Sequence, residues 1–227
     1  NKIRRIEINE MRDLTGYPLI PNRIVKRGAD FWIYQGRMGL MHYSGQAKRL
    51  AMAGGERYSM CIEPNRRGEG IWAAQKASLM QLWHDRELRE SLVAQLPEDI
   101  THIMDDGAGN LYLGTVQGVY EVSQTSGVTR KLCSSRSAVI DMALCDNTLY
   151  FIAQQKGLFC LKKGATEPAC LSASPFYSAL SANSDGTLWV VGEDGKVFSL
   201  QHDSLVLDRL MSRSGEAFID VTCDIRG

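Results

Sequence analysis

Short apolar runs alternate with polar positions at a period of two along most of this chain, and one arrangement of them returns five times. The recurring stretches are "FWIYQGRMGLMHY", "IWAAQKASLMQLW", "LYLGTVQGVYEV", "LYFIAQQKGLFCL" and "LWVVGEDGKVFSL". Each holds two apolar runs separated by a short polar turn, the pattern of a β-hairpin with one buried face. Their aromatic anchors, Trp32, Trp72, Tyr112, Tyr150 and Trp189, stand 40, 40, 38 and 39 residues apart. Repeats of that length build either propellers or helical solenoids.

Local chemistry decides for strands. Each anchor sits among β-branched and aromatic residues and follows a turn rich in Gly, Asp or Asn: "RGAD", "RRGEG", "DGAGN", "CDNT" and "SDGT". Such residues tolerate the positive φ of tight hairpins, whereas Gly costs a helix interior about 1 kcal/mol relative to Ala. Within the clearest unit, strands are predicted at 100–104, 111–115, 118–122 and 128–132. Four antiparallel strands in about 40 residues make one propeller blade. Only "DRELRESLVAQL" (85–96) admits a helical alternative; its place in the repeat is that of the outer strand.

The ends carry half-units. "KIRRIEI" matches an outer strand with no blade before it, and "FIDVTCDI" matches an inner strand with no blade after it. The expectation is an all-β propeller of about six blades, spanning 1–227 as one domain, with the two end strands joined in one composite blade that removes the exposed edges. Since the chain begins at Asn1 and stops soon after "FIDVTCDI", it is expected to be a piece of a longer protein.

The stretch "LPEDITHIMDDGAGNLYLGTVQGVYEV" carries Leu-Pro, two Ile, Asp, Gly, Leu-aromatic, Gly-Thr and Gly-Val-Tyr in an order that resembles the two-component-regulator propeller repeat. Residues 96–122 match well, 178–200 and 20–43 less fully. The units at Trp72 and Tyr150 lack Gly-Thr, and Ser78 replaces a Gly. The resemblance implies the periplasmic sensor region of a membrane-anchored bacterial signalling protein such as a hybrid histidine kinase, with a homodimer as the parent assembly. All the matching residues are structural, so function follows only by analogy.

Composition narrows the function classes. Lys plus Arg and Asp plus Glu both number 26, so no overall field gathers nucleic acid or anionic lipid. No apolar run approaches the roughly 18 residues of a membrane-spanning helix. The four histidines, His42, His84, His102 and His202, occupy unlike repeat positions without partners at metal-ligand spacing, and neither a nucleophile elbow nor a phosphate-cradling loop occurs. No metal, cofactor or catalytic residue is expected. Asp105 and Asp106 read as turn formers. Glu63, His102 and Asp141 are the inner-strand side chains that a propeller lyase or lactonase would need to bring together on the axis. Cys160 and Cys170 face each other if "FCLKKGATEPACL" folds about Ala165, and either a disulfide or two buried thiols would satisfy that pattern.

Candidate binding residues lie in two loop sets that share one face of the ring: those joining each outer strand to the next inner strand, and those between second and third strands. They are Tyr17, Arg37, Arg57, Tyr58, Lys76, Arg136, Gln155, Phe176, Tyr177 and Arg213. Aromatics and arginines of this kind build recognition surfaces, while Tyr58 or Phe176 could equally plug a junction between blades. Three readings stay open: a sensor that binds a small ligand or protein on this rim, an assembly scaffold, and an enzyme of the lyase or lactonase kind.

Overall fold

Each repeat folds as its alternation predicts. The computed structural model describes residues 22–221 except 37, 48, 60, 184, 202–203, 213–214 and 219. In these, twenty strands form five four-stranded antiparallel sheets, and no helix occurs among the described residues. The first sheet holds β1 (Arg23–Arg27), β2 (Asp30–Gln35), β3 (Gly39–Ser44) and β4 (Arg49–Gly55). The second holds β5 (Ile62–Pro64), β6 (Ile71–Gln75), β7 (Ser78–His84) and β8 (Leu88–Gln95), the third β9 (Ile100–Asp105), β10 (Asn110–Thr115), β11 (Gly118–Ser123) and β12 (Thr129–Ser134). In the fourth are β13 (Val139–Cys145), β14 (Thr148–Ala153), β15 (Gly157–Lys162) and β16 (Ala169–Ser172), and in the fifth β17 (Tyr177–Ala182), β18 (Leu188–Gly192), β19 (Val197–Gln201) and β20 (Ser204–Leu207). Residues 85–96 supply β8, so the helical alternative does not arise.

The five anchors occupy one structural position. Each lies near the start of the second strand of its sheet, and the first four pack against the sheet that follows. Trp32 shares a packed cluster with Ile62 and Ile71 of the second sheet, and Trp72 one with Ile103 and Leu111 of the third. Tyr112 packs against the cluster around Met142 and Phe151, and Tyr150 lies with Tyr177, Leu180 and Leu188. Trp189 packs beside Phe218 and Val221, beyond the last sheet. Three of the rings are buried and two, Tyr112 and Trp189, are partly so. Burying side chains of this size contributes about 1.5–3 kcal/mol each, and the polar tip of Trp72 is satisfied because its Nε1 donates to Asp105 Oδ2 at 2.9 Å.

First strands of successive sheets are neighbours, β1 with β5, β5 with β9, β9 with β13 and β13 with β17. They line a common axis, which makes the arrangement propeller-like with five complete blades among the described residues. Of the composite blade expected from "KIRRIEI" and "FIDVTCDI" (2–8 and 218–225), only Phe218, Asp220 and Val221 fall within the described residues. What is described is the approach to it: Phe218 N donates to Gly192 O at 3.2 Å, and Ser178 Oγ donates to Phe218 O. This ties Phe218 to β17 and to the end of β18.

The Cys160–Cys170 disulfide is not formed. The β15–β16 hairpin pairs Cys160 with Ala169 and Cys170 with Phe159, one residue off the expected register, and the irregularity between Leu158 and Phe159 lies beyond these pairs. A one-residue slip sends a side chain to the other face of a sheet: Cys160 is buried, Cys170 is exposed, and both are thiols. The hairpin centres half a residue before Ala165.

Candidate functional site

The two predicted loop sets do form one face. The 75–78 hairpin meets the connection after β8 through Ile100 N donating to Lys76 O at 3.0 Å and Leu96 N to Ala77 O at 2.9 Å. Ser135 N likewise donates to Gln117 O at 3.0 Å, and Glu193 N to Phe176 O at 2.9 Å.

The rim side chains, however, do not converge. Tyr58 is 2% exposed in the cluster between the first two sheets, its hydroxyl donating to Glu90, while Arg57 holds the same carboxylate at 3.1 Å. Burial and the bond to Glu90 push the Tyr58 phenol well above its ordinary range. Tyr177 is buried too, its hydroxyl 2.7 Å from Ser172 Oγ. Both tyrosines are plugs between blades. Lys76, Arg136, Gln155 and Phe176 are exposed at separate loops, the first three with left-handed φ of 54°, 60° and 57° as turns require. Tyr17, Arg37 and Arg213 lie outside the described residues, as do His202 and Cys223.

Convergence occurs on the axis instead. A cavity of about 600 Å³ is lined by the inner strands of all five sheets and by Asp220 and Val221. A second, of about 430 Å³, opens toward the loop face and shares Arg23, His102, Ile103, Asp141 and Asp220 with the first. The shared residues form a charged waist between two chambers. Its members come from equivalent places. Arg23, His102, Asp141 and Ala179 pair with Tyr34, Gly114, Ile152 and Val191, each two residues beyond its anchor. Cys61 joins this layer through Ala74, whose N donates to Cys61 O at 3.0 Å.

Burial dominates the electrostatics of the waist and of Glu63, which lines the larger chamber beside it. Glu63, 9% exposed, faces Arg66 at 3.5 Å and Arg23 at 3.8 Å, distances too long for tight ion pairs. Desolvation therefore outweighs the arginines and pushes its carboxyl up to about 7. His102 Nε2 lies 3.4 Å from Asp141 Oδ1. Burial lowers the pKa of His102 against the opposing pull of Asp141, and burial raises that of Asp141 against His102 and two backbone donors. Leu180 N, from the next sheet, donates to Asp141 Oδ2 at 2.8 Å and fixes its carboxylate. Asp220 acts on both His102 and Asp141, so the groups share one field.

The sequence reading had Glu63, His102 and Asp141 as the set an enzyme would bring to the axis, and the structure does bring them there. It adds Arg23 and Asp220, which sequence reasoning missed. Among the described residues no group of three or more His, Cys, Asp or Glu side chains is placed to hold a metal ion. Asp105 and Asp106 are the turn formers expected: Asp105 Oδ1 accepts from Gly107 N at 2.8 Å, and Asp106 Oδ1 from Ala108 N at 2.7 Å and Gly109 N at 2.9 Å.

Neither a family model nor a curated protein matches the sequence. Solved structures do match the fold. The extracellular domains of two proteins of B. thetaiotaomicron, each described as a hybrid two-component system, superpose with a TM-score of 0.66. They are 14% and 16% identical over 88% and 94% of this chain, which spans 30% and 32% of theirs. A luciferin-regenerating enzyme is similar at a TM-score of 0.61 and 12% identity, over 79% of this chain and 71% of that one. The chain thus has the blade architecture of the extracellular domains of two-component-system proteins, the fold that its repeat resembles.

Proposed function

We propose that this chain is part of the sensor region of a bacterial signalling protein, acting on the periplasmic side of a membrane, and that it recognises a small polar ligand in the axial cavity. The carrying observation is the convergence of Arg23, Glu63, His102, Asp141 and Asp220 in one cavity of about 600 Å³. A cavity of this size with a few polar groups aimed into it is the usual form of a small-molecule site. Titratable groups whose pKa values are displaced by burial and a specific charge partner inside a cleft make a candidate functional site. The extracellular two-component-system domains of the same fold supply the signalling context by analogy. In the parent protein, ligand binding would bias a conformational equilibrium by its differential affinity for two states, as in a dimer that changes geometry.

The test is a calorimetric titration of the purified domain with polar metabolites, repeated on His102→Gln. A ligand whose affinity falls about tenfold or more in that variant, a loss of about 1.4 kcal/mol, supports the reading. Binding that ignores the substitution refutes it.

A second reading keeps the same cavity but makes it catalytic. His102 beside Asp141 at 3.4 Å is the pairing of a general base and its orienting carboxylate, and one structure of this fold is an enzyme by name. Turnover of any ligand found in the titration would favour it.

A further inference from the structure

The charges around the axial cavity are sorted by position. The first two sheets contribute the cations that line it, Arg23, Lys26 and Arg66. Of the lining carboxylates, Asp105 and Asp106 of the third sheet are taken up by hydrogen bonds within the protein, and Glu63 stands between two of these arginines. Asp141 lies beyond His102 on the fourth sheet, and Asp220 follows the fifth. The carboxylates left for a ligand are thus Asp141 and Asp220, an anionic arc from the fourth sheet and from beyond the fifth, set against a cationic arc from sheets one and two.

We propose that the ligand of this cavity is a zwitterion of the amino-acid or short-peptide class, its carboxylate held by Arg23 and Lys26 and its ammonium by Asp141 and Asp220. This rests on the reading of the cavity as the recognition site and adds the chemical class of what it recognises.

The alternatives fit less well. A simple anion would bring its charge into the field of Asp141 and Asp220, and a simple cation would meet the guanidinium of Arg23. Like charges brought together in a partly desolvated site cost more than they do in water. A neutral polyol meets no repulsion, but it leaves both arcs without a counter-charge. A dipolar ligand is complementary to both at once, and guanidinium–carboxylate and carboxylate–ammonium contacts are the strong kind of hydrogen bond. The volume of about 600 Å³ also accommodates more than a single amino-acid backbone, so a dipeptide or a long side chain fits.

The experiment uses the chain as it stands. Free amino acids and dipeptides are screened by thermal shift, a panel of neutral disaccharides is run in parallel, and the best zwitterion is titrated beside its N-acetyl and C-terminal amide forms. The expected result is stabilisation by a zwitterion, and a loss of about tenfold or more in affinity when either terminus is blocked. Arg23→Gln is expected to weaken the parent and N-acetyl forms while sparing the amide, and Asp141→Asn to weaken the parent and amide forms while sparing the N-acetyl one. Equal binding of blocked and unblocked forms, or no binding by any zwitterion, overturns the proposal. A disaccharide that binds and loses affinity in His102→Gln overturns the zwitterion while keeping the cavity as the site. If no ligand from either panel depends on the axial residues, the reading of the cavity falls as well. The comparison of blocked forms is made on the unsubstituted chain, so it stands even if one variant fails to fold.

Discussion

Asp105 is 1% exposed and accepts four hydrogen bonds, from Arg66 N, Trp72 Nε1, Gly107 N and Gln124 Nε2, all at 2.8–2.9 Å. One carboxylate therefore ties the 65–70 loop, an anchor ring and the β9–β10 turn together. Asp105→Asn replaces an acceptor oxygen by a donor in a site built of donors, and is expected to cost about 2–4 kcal/mol in urea unfolding, since each buried group left unpaired costs about 1–3 kcal/mol. Trp72→Phe, which keeps most of the ring but drops one donor, should cost about 1–3 kcal/mol. Glu63 gives a pH-dependent signature. Its carboxyl is raised from 4.5 to about 7, so the native chain binds that proton more tightly than the unfolded one. The associated stability is fully present below about pH 4.5 and declines as the pH climbs through 7, by on the order of 3 kcal/mol. Unfolding free energies of Glu63→Gln measured from pH 5 to 8 should lack this decline. A parallel decline in the variant would show that Glu63 is not its source.

Elements carry the same logic through their turns. Gly157, at the start of β15, has φ +111°, and a Cβ there would lie 2.0 Å from Ser172 O. Gly164, at the hairpin tip, has φ +84° with nothing within 4 Å of the same atom. Gly157→Ala should therefore destabilise by more than about 2 kcal/mol, and Gly164→Ala by about 1 kcal/mol, the cost of the left-handed backbone alone. Thiol labelling checks the register of this hairpin: Cys170 should react in the folded chain and Cys160 only on unfolding, whereas a bridge would block both until reduction. The repeat, the anchors and most strands were legible because hydrophobic alternation and turn residues are local signals. The β15–β16 register was not, because the number of residues taken up by the turn is not fixed by where the two cysteines stand, and one residue more or less moves a side chain to the other face. Tyr58 was legible as a junction plug, but Phe176, named with it, is exposed and Tyr177 is buried instead, which depends on how each loop folds back over its neighbour. Of the waist, His102 and Asp141 were legible as inner-strand groups that could reach the axis, but the layer they share with Arg23 was not. Arg23, Cys61, His102 and Asp141 precede their anchors by 9, 11, 10 and 9 residues, so turns of unequal length between first and second strands keep an exact structural layer from appearing as an aligned column.

At the scale of the whole molecule, five blades around an axis collect side chains that lie about 40 residues apart in sequence into one charged waist. No single repeat contains that site, and it exists only because the ring is assembled. The exposed loop face remains the competing surface, with Arg57, Lys76, Arg136, Gln155 and Phe176 distributed over it. Of the residues that a rim reading would substitute first, Arg57 and Tyr177, the second is uninformative: Tyr177→Ala opens a cavity in the core and should cost about 3–5 kcal/mol whether or not anything binds. Arg57→Ala with Phe176→Ala is the cleaner rim variant. The most direct measurement is the ligand-dependent thermal shift compared between that rim variant and the axial pair Arg23→Gln with His102→Gln. Binding in the axial cavity predicts that the shift persists in the rim variant and vanishes in the axial one. A shift that vanishes in the rim variant and persists in the axial one would contradict it.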